Sequence, residues 1–581
     1  MSRIVFTIIS ILLLHFATVR IKAASGVVTI VNPVRISTYN PDPVASIKAQ
    51  YAVVRGFDFP ATWLVTYDVL NDPAIVAVLK KFDDRQEIGL FLEVTANSAK
   101  AAGIDYHQTG SWHFANAVLL SGYTQEERIM FLDAIFAKYK SIFGYYPAAV
   151  GSWWTDSFSL NYVNQKYGVS IDLGCSDQFS TDNYSLWGQP WSVAFQSTIR
   201  HSGLPHEKGI IRLQWAPREP GRGYFDSLFS TQDYFTQPGL KIDFFEKLIG
   251  VYATKANGQI TIGLEGDLPP SMYGDQFRSQ LQLVKDKKLT VMTMNDFGKK
   301  FEKMDGKVID TNAQWYQTGT YRLGIIGDKI VDLRRYMDYT EPYYERPNRE
   351  RTLYINLPAV FDSKSDPDSV WDIGQAQVRS YEDFFDIDFP KTSIPQVLYD
   401  SPYFRVKTTA SGYRIFTKTI KLEDQILTDW SIETLHAFKS VRFWLRLFKG
   451  QGFGQFKKER YLISADEQIA LIYLKSKPRG LVLVADRECL QCEYHSSARP
   501  AVYANLRDYV SRYSAKQVVR NEQVFLTDKD IAREALVKSS ARYVYLTKYE
   551  SYIETLPLSP GDLGVRKIFE NANAVIWEVV K

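Results

Sequence analysis

Hydrophobic positions along residues 60–95 follow two different spacings, which predict a strand, a helix and a second strand in succession. Residues 61–67 are aromatic and β-branched, as in a strand. Asp72 and Pro73 then provide an N-cap and a first-turn proline, and apolar residues recur at helical spacing after them. Residues 88–94 form a nearly continuous apolar run, as in a buried parallel strand. The stretch therefore predicts a βαβ unit.

The same alternation of strand and helix continues to about residue 305. Further strand-like runs lie at residues 27–31, 148–157, 169–178, 210–219, 259–267 and 289–297, with helices predicted near 42–54, 127–144 and 273–287. The polar, glycine-broken segment at 96–123 predicts a long rim loop. Parallel strands alternating with helices predict an α/β fold with a (β/α)7-type barrel over residues 27–305. Catalytic residues of such barrels lie at the C-terminal ends of the strands.

The pattern changes after the predicted barrel. Short strand-like runs separated by turn residues predict a β-rich accessory domain at 306–430. Residues 433–460 form a basic amphipathic segment, which suits either a membrane interface or a helix packed on a neighbouring domain with its basic side solvated. Residues 461–581 return to an α/β rhythm and predict a small C-terminal α/β domain.

The N-terminal residues 1–24 have the character of an export signal or a membrane anchor. Residues 4–19 are apolar and flanked by basic residues, and they are short for a membrane span of roughly 20 residues. We therefore expect a secreted or extracytoplasmic protein, with N-terminal anchoring as the alternative. The three cysteines, Cys175 and the pair Cys489 and Cys492, fit an oxidising compartment, although the pair could also be a redox or metal half-site.

Composition narrows the classes of partner. The net charge of +4 over 581 residues is too small to predict nucleic-acid binding. The 36 Tyr, 34 Phe and 12 Trp suit stacking on sugars but are equally suitable for an ordinary core. We expect a polysaccharide or glycan partner, no nucleic acid and no cofactor, with a membrane surface contacted through residues 4–19 and 433–449 if those segments act as anchors.

The wording P-A-T-W-L-V … E-I-G-L, at 60–65 and 87–90, resembles the second and third strands of NodB-type polysaccharide deacetylases. These belong to the glycoside hydrolase/deacetylase superfamily of seven-stranded barrels. The resemblance implies a metal-dependent site with an Asp-Asp pair, two histidines, an arginine and a last-strand histidine. The corresponding positions here hold Val31, Asn32, Phe91, Thr95, Gly151 and Glu265. The deacetylase metal and catalytic motifs are therefore absent, and we expect no metal of that kind.

Two shorter resemblances extend this interpretation. Residues 153–158 (WWTDSF) are similar to the W-Q-I-D-P-F of the superfamily's α-mannosidases, in which the Asp is the nucleophile, although the following histidine of that family is missing here. Residues 541–579 look like the soluble C-terminal domain that follows the membrane part of some bacterial sugar transferases. The second resemblance implies a fold and no activity.

Carboxylates and tryptophans at the predicted strand ends point to a glycosidase-type hydrolase, because one carboxylate attacks or activates water while another protonates the leaving oxygen. The predicted catalytic residues are Asp156, Glu265, Glu93 and Asp177. The predicted substrate-binding residues are Trp153, Trp154, Trp215, Arg218 and His113. Each of these carboxylates could instead cap a helix or bind backbone amides.

Two other functions remain open at this point. The chain could be a non-catalytic glycan-binding or cell-envelope protein on a degenerate barrel, since fold alone does not determine function. It could also be a metal-dependent hydrolase with a relocated site built from His107 or His113 together with Asp156. The sequence is therefore compatible with both an enzyme and a binding protein.

Overall fold

A computed structural model describes residues 26–107, 115–336 and 353–417 with short gaps, and separate pieces of 469–580. The gaps are 176, 182–183, 206–208, 254–257, 267–269, 358, 360, 365–366, 368–369 and 391–404. The predicted signal segment, the basic segment at 433–460, His113 and the Cys489/Cys492 pair lie outside the described residues.

The first half of the chain alternates strands and helices as the hydrophobic pattern predicts. Its strands are β1 (Val27–Val34), β2 (Ala61–Val65), β3 (Gln86–Phe91), β4 (Ala149–Gly151), β5 (Ile171–Cys175), β6 (Gln178–Thr181), β7 (Tyr184–Trp187), β8 (Phe195–Gln196), β9 (Ile211–Trp215), β10 (Gln259–Ile262) and β11 (Thr290–Met292).

Its helices are α1 (Pro43–Gly56), α2 (Tyr67–Asn71), α3 (Pro73–Leu79), α4 (Ala96–Ala102), α5 (Ala115–Val118), α6 (Gln125–Phe143), α7 (Ser157–Tyr167), α8 (Arg222–Phe225), α9 (Ile242–Tyr252), α10 (Pro270–Asp286) and α11 (Met294–Lys300). Single 3₁₀ turns lie at Leu120–Gly122 and Tyr234–Thr236.

Strands β10, β1, β2, β3, β4, β5 and β9 are neighbours in that order and are parallel, with β8 antiparallel to β9 at one edge and β11 paired to β1. The sheet of the predicted (β/α)7-type barrel is curled and open, since no strand pairing joins β9 to β10 in the described part of the chain. The two edges nevertheless approach each other. A Cβ added at Gly263, just after β10, would lie 2.9 Å from the ring of Trp215 at the end of β9.

Helix boundaries follow local sequence signals. Asp72 caps α3 by accepting from Ala74 N and Ile75 N, as the sequence predicts. Thr124 and Glu127 form a capping box that starts α6, and Gly144 ends this helix at φ 84°. The rim segment predicted as a loop instead contains helix α4, because Thr95 and Ser98 form a second capping box.

Two apolar cores lie on opposite faces of the curled sheet. Residues such as Val28, Ile30, Trp63 and Leu90 pack outward against the helices. Inward-facing residues form a second core inside the curl: Val31, Leu64, Phe91, Leu173, Leu213, Trp153, Trp215, Met294 and Phe297. The alternation along each strand explains this division, since successive side chains point to opposite faces.

After residue 300, the described residues form several β-sheets, with short helical pieces among the described residues of 469–537. Their strands are β12 (Val308–Asp310), β13 (Ala313–Gln317), β14 (Tyr321–Ile326), β15 (Lys329–Arg335), β16 (Leu353–Asn356), β17 (Phe361–Asp362), β18 (Trp371–Asp372), β19 (Gln377–Ser380), β20 (Phe384–Asp388), β21 (Arg405–Thr408), β22 (Gly412–Phe416), β23 (Leu481–Val484), β24 (Arg507–Tyr509), β25 (Tyr543–Thr547), β26 (Val565–Glu570) and β27 (Ala574–Val579).

The β-rich part packs directly on the curled sheet's loops. Strand β16 pairs with β7, an insertion after β5. The ring of Trp191 stacks on that of Trp315 at 4.7 Å, and Trp315 Nε1 donates to the Pro220 carbonyl at 2.8 Å. These buried contacts join the two parts of the molecule without an intervening linker.

Candidate functional site

Arg35 is the centre of a charged cluster at the C-terminal ends of the parallel strands. It directly follows β1, and its Nε and Nη2 donate to the two carboxylate oxygens of Glu93, each at 2.7 Å. Its Nη1 lies 3.6 Å from Oε2 of Glu265. Glu93 follows β3 and Glu265 follows β10, so the strand ends bring both carboxylates to a single guanidinium.

Aromatic rings surround this guanidinium. The Cζ atom of Arg35 lies 6.0 Å from the ring centroid of Phe91 and 5.5 Å from that of Trp153. Phe91 and Trp153 meet edge to face at 5.0 Å, and Trp153 lies 6.2 Å from Trp215. We call these six residues the Arg35 cluster (Arg35, Glu93, Glu265, Phe91, Trp153 and Trp215). The rings place the ion pairs against low-dielectric surface, which strengthens their electrostatic interaction.

Glu265 is the most open carboxylate of the cluster. Its side chain is 18 % exposed, compared with 7 % for that of Glu93. Gln232 Nε2 donates to Glu265 Oε1 at 3.1 Å, which orients the carboxylate from the side opposite Arg35. Glu265 is therefore the more solvent-accessible of the two carboxylates.

Two half-buried tyrosines flank the cluster. Burial raises the pKa of Tyr106, and the charges of Glu93 and Asp68 raise it further. Burial likewise raises the pKa of Tyr273, together with the charges of Asp233 and Glu265. Both phenols therefore stay protonated at neutral pH and can donate hydrogen bonds to a ligand.

Asp156, the predicted nucleophile, lies outside the Arg35 cluster. It is the N-cap of α7, where Oδ1 accepts from Ser159 N at 2.9 Å and Oδ2 accepts from Ser159 Oγ at 2.7 Å. Arg128 Nη1 also donates to Oδ1 at 2.9 Å, and Asp156 is only 3 % exposed. Its two oxygens bind a helix end and a buried arginine, as is typical of a carboxylate that stabilises the fold.

Asp177 is also buried away from the cluster. Its Oδ2 accepts from Arg322 Nη1 and its Oδ1 accepts from Gly188 N at 3.0 Å. Burial raises the pKa of Asp177, and the neighbouring Arg322 opposes that rise. Asp177 belongs to a buried charge network that connects the curled sheet to the β-rich part: Asp177, Arg322, Asp332, Arg334 and Asp362.

The predicted binding residues divide between two places. Trp153 and Trp215 belong to the Arg35 cluster, whereas Trp154 packs behind it, with its ring 5.1 Å from Cζ of Arg212. Arg212 pairs with Asp172 at 3.2 Å inside the sheet. Arg218 follows β9 and is 6 % exposed.

His107, the alternative metal ligand, has its Nδ1 2.8 Å from the Asn116 carbonyl and stacks on Tyr123 at 4.2 Å. Within the described residues, no group of three or more histidines, cysteines and carboxylates could hold a metal ion. None of the described helices is both long enough and apolar enough to cross a membrane.

Sequence reasoning missed Arg35, the residue that joins the cluster. Its position immediately after β1 was a usable signal, because the rule that selects strand-end carboxylates applies to strand-end cations as well. Positions at which the deacetylase pattern would hold ligands carry other contacts here. Asn32 Oδ1 accepts from Leu264 N at 3.0 Å, and Thr95 caps α4.

No protein-family profile and no curated protein matches this sequence. Among solved structures, the chain is similar to a protein described as a glycoside hydrolase/deacetylase from Parabacteroides distasonis, with 13% identity over 58% of this chain and 92% of that one, at a TM-score of 0.40. A polysaccharide deacetylase from Mycobacterium smegmatis gives 12% identity over 48% of this chain and 91% of that one, at 0.32.

The C-terminal globular domain of an oligosaccharyltransferase from Archaeoglobus fulgidus covers 20% of this chain and 97% of its own, with 11% identity and a TM-score of 0.15. All three scores are too low to support a conclusion about activity.

Proposed function

We propose that this protein is a carbohydrate-active hydrolase of glycosidase type, with Glu93 and Glu265 as its two carboxylates. The observation that carries the proposal is that both carboxylates contact the single guanidinium of Arg35 beside the ring of Trp153. Glycosidases use two carboxylates that flank the bond to be cleaved, and in those enzymes the two carboxyl groups are about 5 to 9.5 Å apart.

The two carboxylates differ in a way that suits two roles. Glu93 accepts two hydrogen bonds from the Arg35 guanidinium, which fix its carboxylate in place, so we assign it the role of base or nucleophile. A carboxylate has about four lone-pair sites, so the contact with Arg35 leaves acceptor positions for a water or a sugar. Glu265 contacts Arg35 more weakly than Glu93 does, at 3.6 Å, and is more exposed, so we assign it the role of the acid, which takes up a proton from solvent and delivers it to the leaving oxygen.

The sugar would be held by the aromatic and phenolic groups around the pair. Trp153 and Trp215 are each 7 % exposed and would contact the sugar through that exposed part, and Tyr106 and Tyr273 would provide hydroxyl donors. We keep the prediction of an exported protein acting on a polysaccharide as part of this proposal. Asp156 and Asp177 have no catalytic role in it.

The test is release of reducing ends from a panel of soluble polysaccharides by the full chain. We expect Glu265→Gln to lower kcat by about 100-fold or more, because general acid catalysis contributes about that much. Glu246→Gln is the matched control. Glu246 is an exposed carboxylate that pairs with Lys287 at 2.6 Å, and its loss should leave the rate unchanged. Equal rates for Glu265→Gln and the wild type would exclude this mechanism.

A second candidate function is glycan binding without hydrolysis. The bidentate pairing of a nearly buried Glu93 with Arg35 favours it, because such a pair can also serve only to hold the strand ends together. In that case the wild type binds a glycan and releases no reducing ends, and Glu265→Gln changes affinity alone.

A further inference from the structure

Arg218 is a buried cation whose guanidinium has no ion pair or side-chain hydrogen bond with any described residue. The residue is 6 % exposed and lies three positions after the end of β9. Its backbone is fixed on both sides, since its N–H donates to Ser192 Oγ at 3.1 Å and its carbonyl accepts from Tyr252 Oη at 2.5 Å. Burial lowers the pKa of the guanidinium.

The acidic residues around Arg218 are committed to other partners. Asp177 accepts from Arg322 and Gly188, as described above. Asp233 accepts from Ser230 Oγ at 3.2 Å, and Glu219 accepts from Arg222 N and from Lys247. None of these carboxylates pairs directly with the Arg218 guanidinium, and the charges of Asp177 and Asp233 offset only part of the effect of burial, so the pKa stays lowered.

A second cation lies near Arg218. The half-buried Lys364 donates to the Phe225 carbonyl, and burial together with the charge of Arg218 lowers the pKa of its ammonium group. The carboxylates of Asp226 and Asp362 oppose that lowering for Lys364, so the positive charge that favours an anionic ligand here is mainly that of Arg218. The planar fork of an arginine matches a carboxylate, which it can bind through two parallel hydrogen bonds.

Arg218 is connected to the Arg35 cluster through the turn at Gln232 and Asp233. Gln232 donates to Glu265. The backbone of Arg218 forms an antiparallel bridge with Ser230, two residues before Gln232, and Thr231 N donates to the Pro217 carbonyl at 3.0 Å. Trp215 of the cluster precedes Arg218 by three residues, with Ala216 at φ 52° turning the chain between them. The two places are therefore adjoining parts of one strand-end surface.

We propose that Arg218 binds the carboxylate of an acidic sugar, so that the glycan recognised at the Arg35 cluster is a polyuronide or a similar carboxylated polymer. This inference rests on the proposed function, because it places a neighbouring sugar unit of the same glycan beside the Glu93 and Glu265 pair. The carboxylate of the sugar would be the ion-pair partner that Arg218 does not have among the described residues.

The experiment measures binding of the full chain to acidic polysaccharides, each beside its carboxyl-reduced counterpart. Polygalacturonate, alginate and hyaluronan are suitable probes, with neutral glucans and xylans included. We expect the wild type to prefer at least one acidic polymer over its reduced form by about tenfold or more, since a hydrogen bond to a charged group contributes about 1.5–3 kcal/mol. Arg218→Gln should abolish that preference, and Arg218→Lys should retain part of it.

Arg278→Gln is the matched control, since Arg278 is an exposed arginine on α10, and it should bind like the wild type. Neutral and acidic polymers binding equally well to the wild type would overturn the inference and leave the proposed function intact. Absence of binding to every glycan, acidic or neutral, would remove both. If Arg218→Gln does not fold, as judged by circular dichroism, the wild-type comparison of each acidic polymer with its reduced form decides.

Discussion

Replacing Asp156 tests whether this carboxylate holds the fold or takes part in catalysis. Asp156→Ala removes the N-cap of an 11-residue helix and leaves Arg128 without its carboxylate partner. Both side chains are almost fully buried, at 4 % and 3 % exposure. We expect a large loss of stability and no specific loss of catalysis.

The magnitude follows from two contributions. Loss of an N-cap costs about 0.5–2 kcal/mol, and breaking a buried ion pair by removing one partner costs about 3–5 kcal/mol. Because both effects act through the same carboxylate, they do not add fully, and we expect about 4 kcal/mol in total. Asp156→Asn keeps a capping oxygen and loses only the charge, so it should cost less than Asp156→Ala.

The assay is urea unfolding of Asp156→Ala, Asp156→Asn and Asp72→Ala, monitored by circular dichroism. Asp72 caps α3 through two backbone N–H groups and forms no ion pair with a described arginine, so its loss should cost only about 1 kcal/mol. Hydrolysis is then compared at a temperature where every variant is folded. An Asp156→Ala protein as stable as the wild type but inactive would refute this reasoning and restore Asp156 as a catalytic residue.

Three further predictions concern other buried groups. Burial lowers the pKa of His201 to about 3, and its Nδ1 accepts from Gly203 N at 3.0 Å, so the neutral ring is the folded form. Because this pKa is below the unfolded value near 6.5, the free energy of unfolding should fall as pH falls from about 6.5 towards 3, by up to about 1.4 kcal/mol per pH unit. In urea unfolding at pH 6.5, 5.5 and 4.5, His201→Asn should flatten that slope, and an unchanged slope would contradict the assignment. Arg322→Met should lower the free energy of unfolding by about 3–5 kcal/mol, because it leaves buried carboxylates unpaired. Arg379→Met, at an exposed ion pair, should cost less than about 1 kcal/mol, and equal melting temperatures for the two variants would show that the buried charge network contributes little. Trp153→Leu should weaken glycan binding measured by titration calorimetry while Glu265→Gln keeps it, and unchanged affinity would exclude Trp153 from the sugar site.

Strand-end positions were predictable from the sequence, because they depend on local hydrophobic spacing. The βαβ unit at 60–95 appears as β2, α3 and β3, with the Asp72 cap in its predicted place. An additional short helix, α2, lies between β2 and α3, where the aromatic run suggested a longer strand. Whether the curled sheet closes into a complete barrel could not be predicted, because closure depends on pairing between β9 and β10, and no local sequence pattern determines that pairing.

The roles of the carboxylates could not be predicted in the same way. Asp156, Asp177, Glu93 and Glu265 have the same chemistry and similar positions relative to their strands. Their environments differ because three arginines from other parts of the chain pair with them: Arg128 with Asp156, Arg322 with Asp177, and Arg35 with both Glu93 and Glu265. The contact between Arg322 and Asp177 joins residues 145 positions apart.

By itself, the sequence determined where strands and helices lie and which residue types reach the strand ends, because both follow from short-range periodicity and capping. Only the tertiary structure decided which carboxylates are neutralised in the interior and which converge on Arg35 beside Trp153. The physical reason is that charge compensation in a low-dielectric interior depends on distances across the fold, and residues far apart in the chain set those distances.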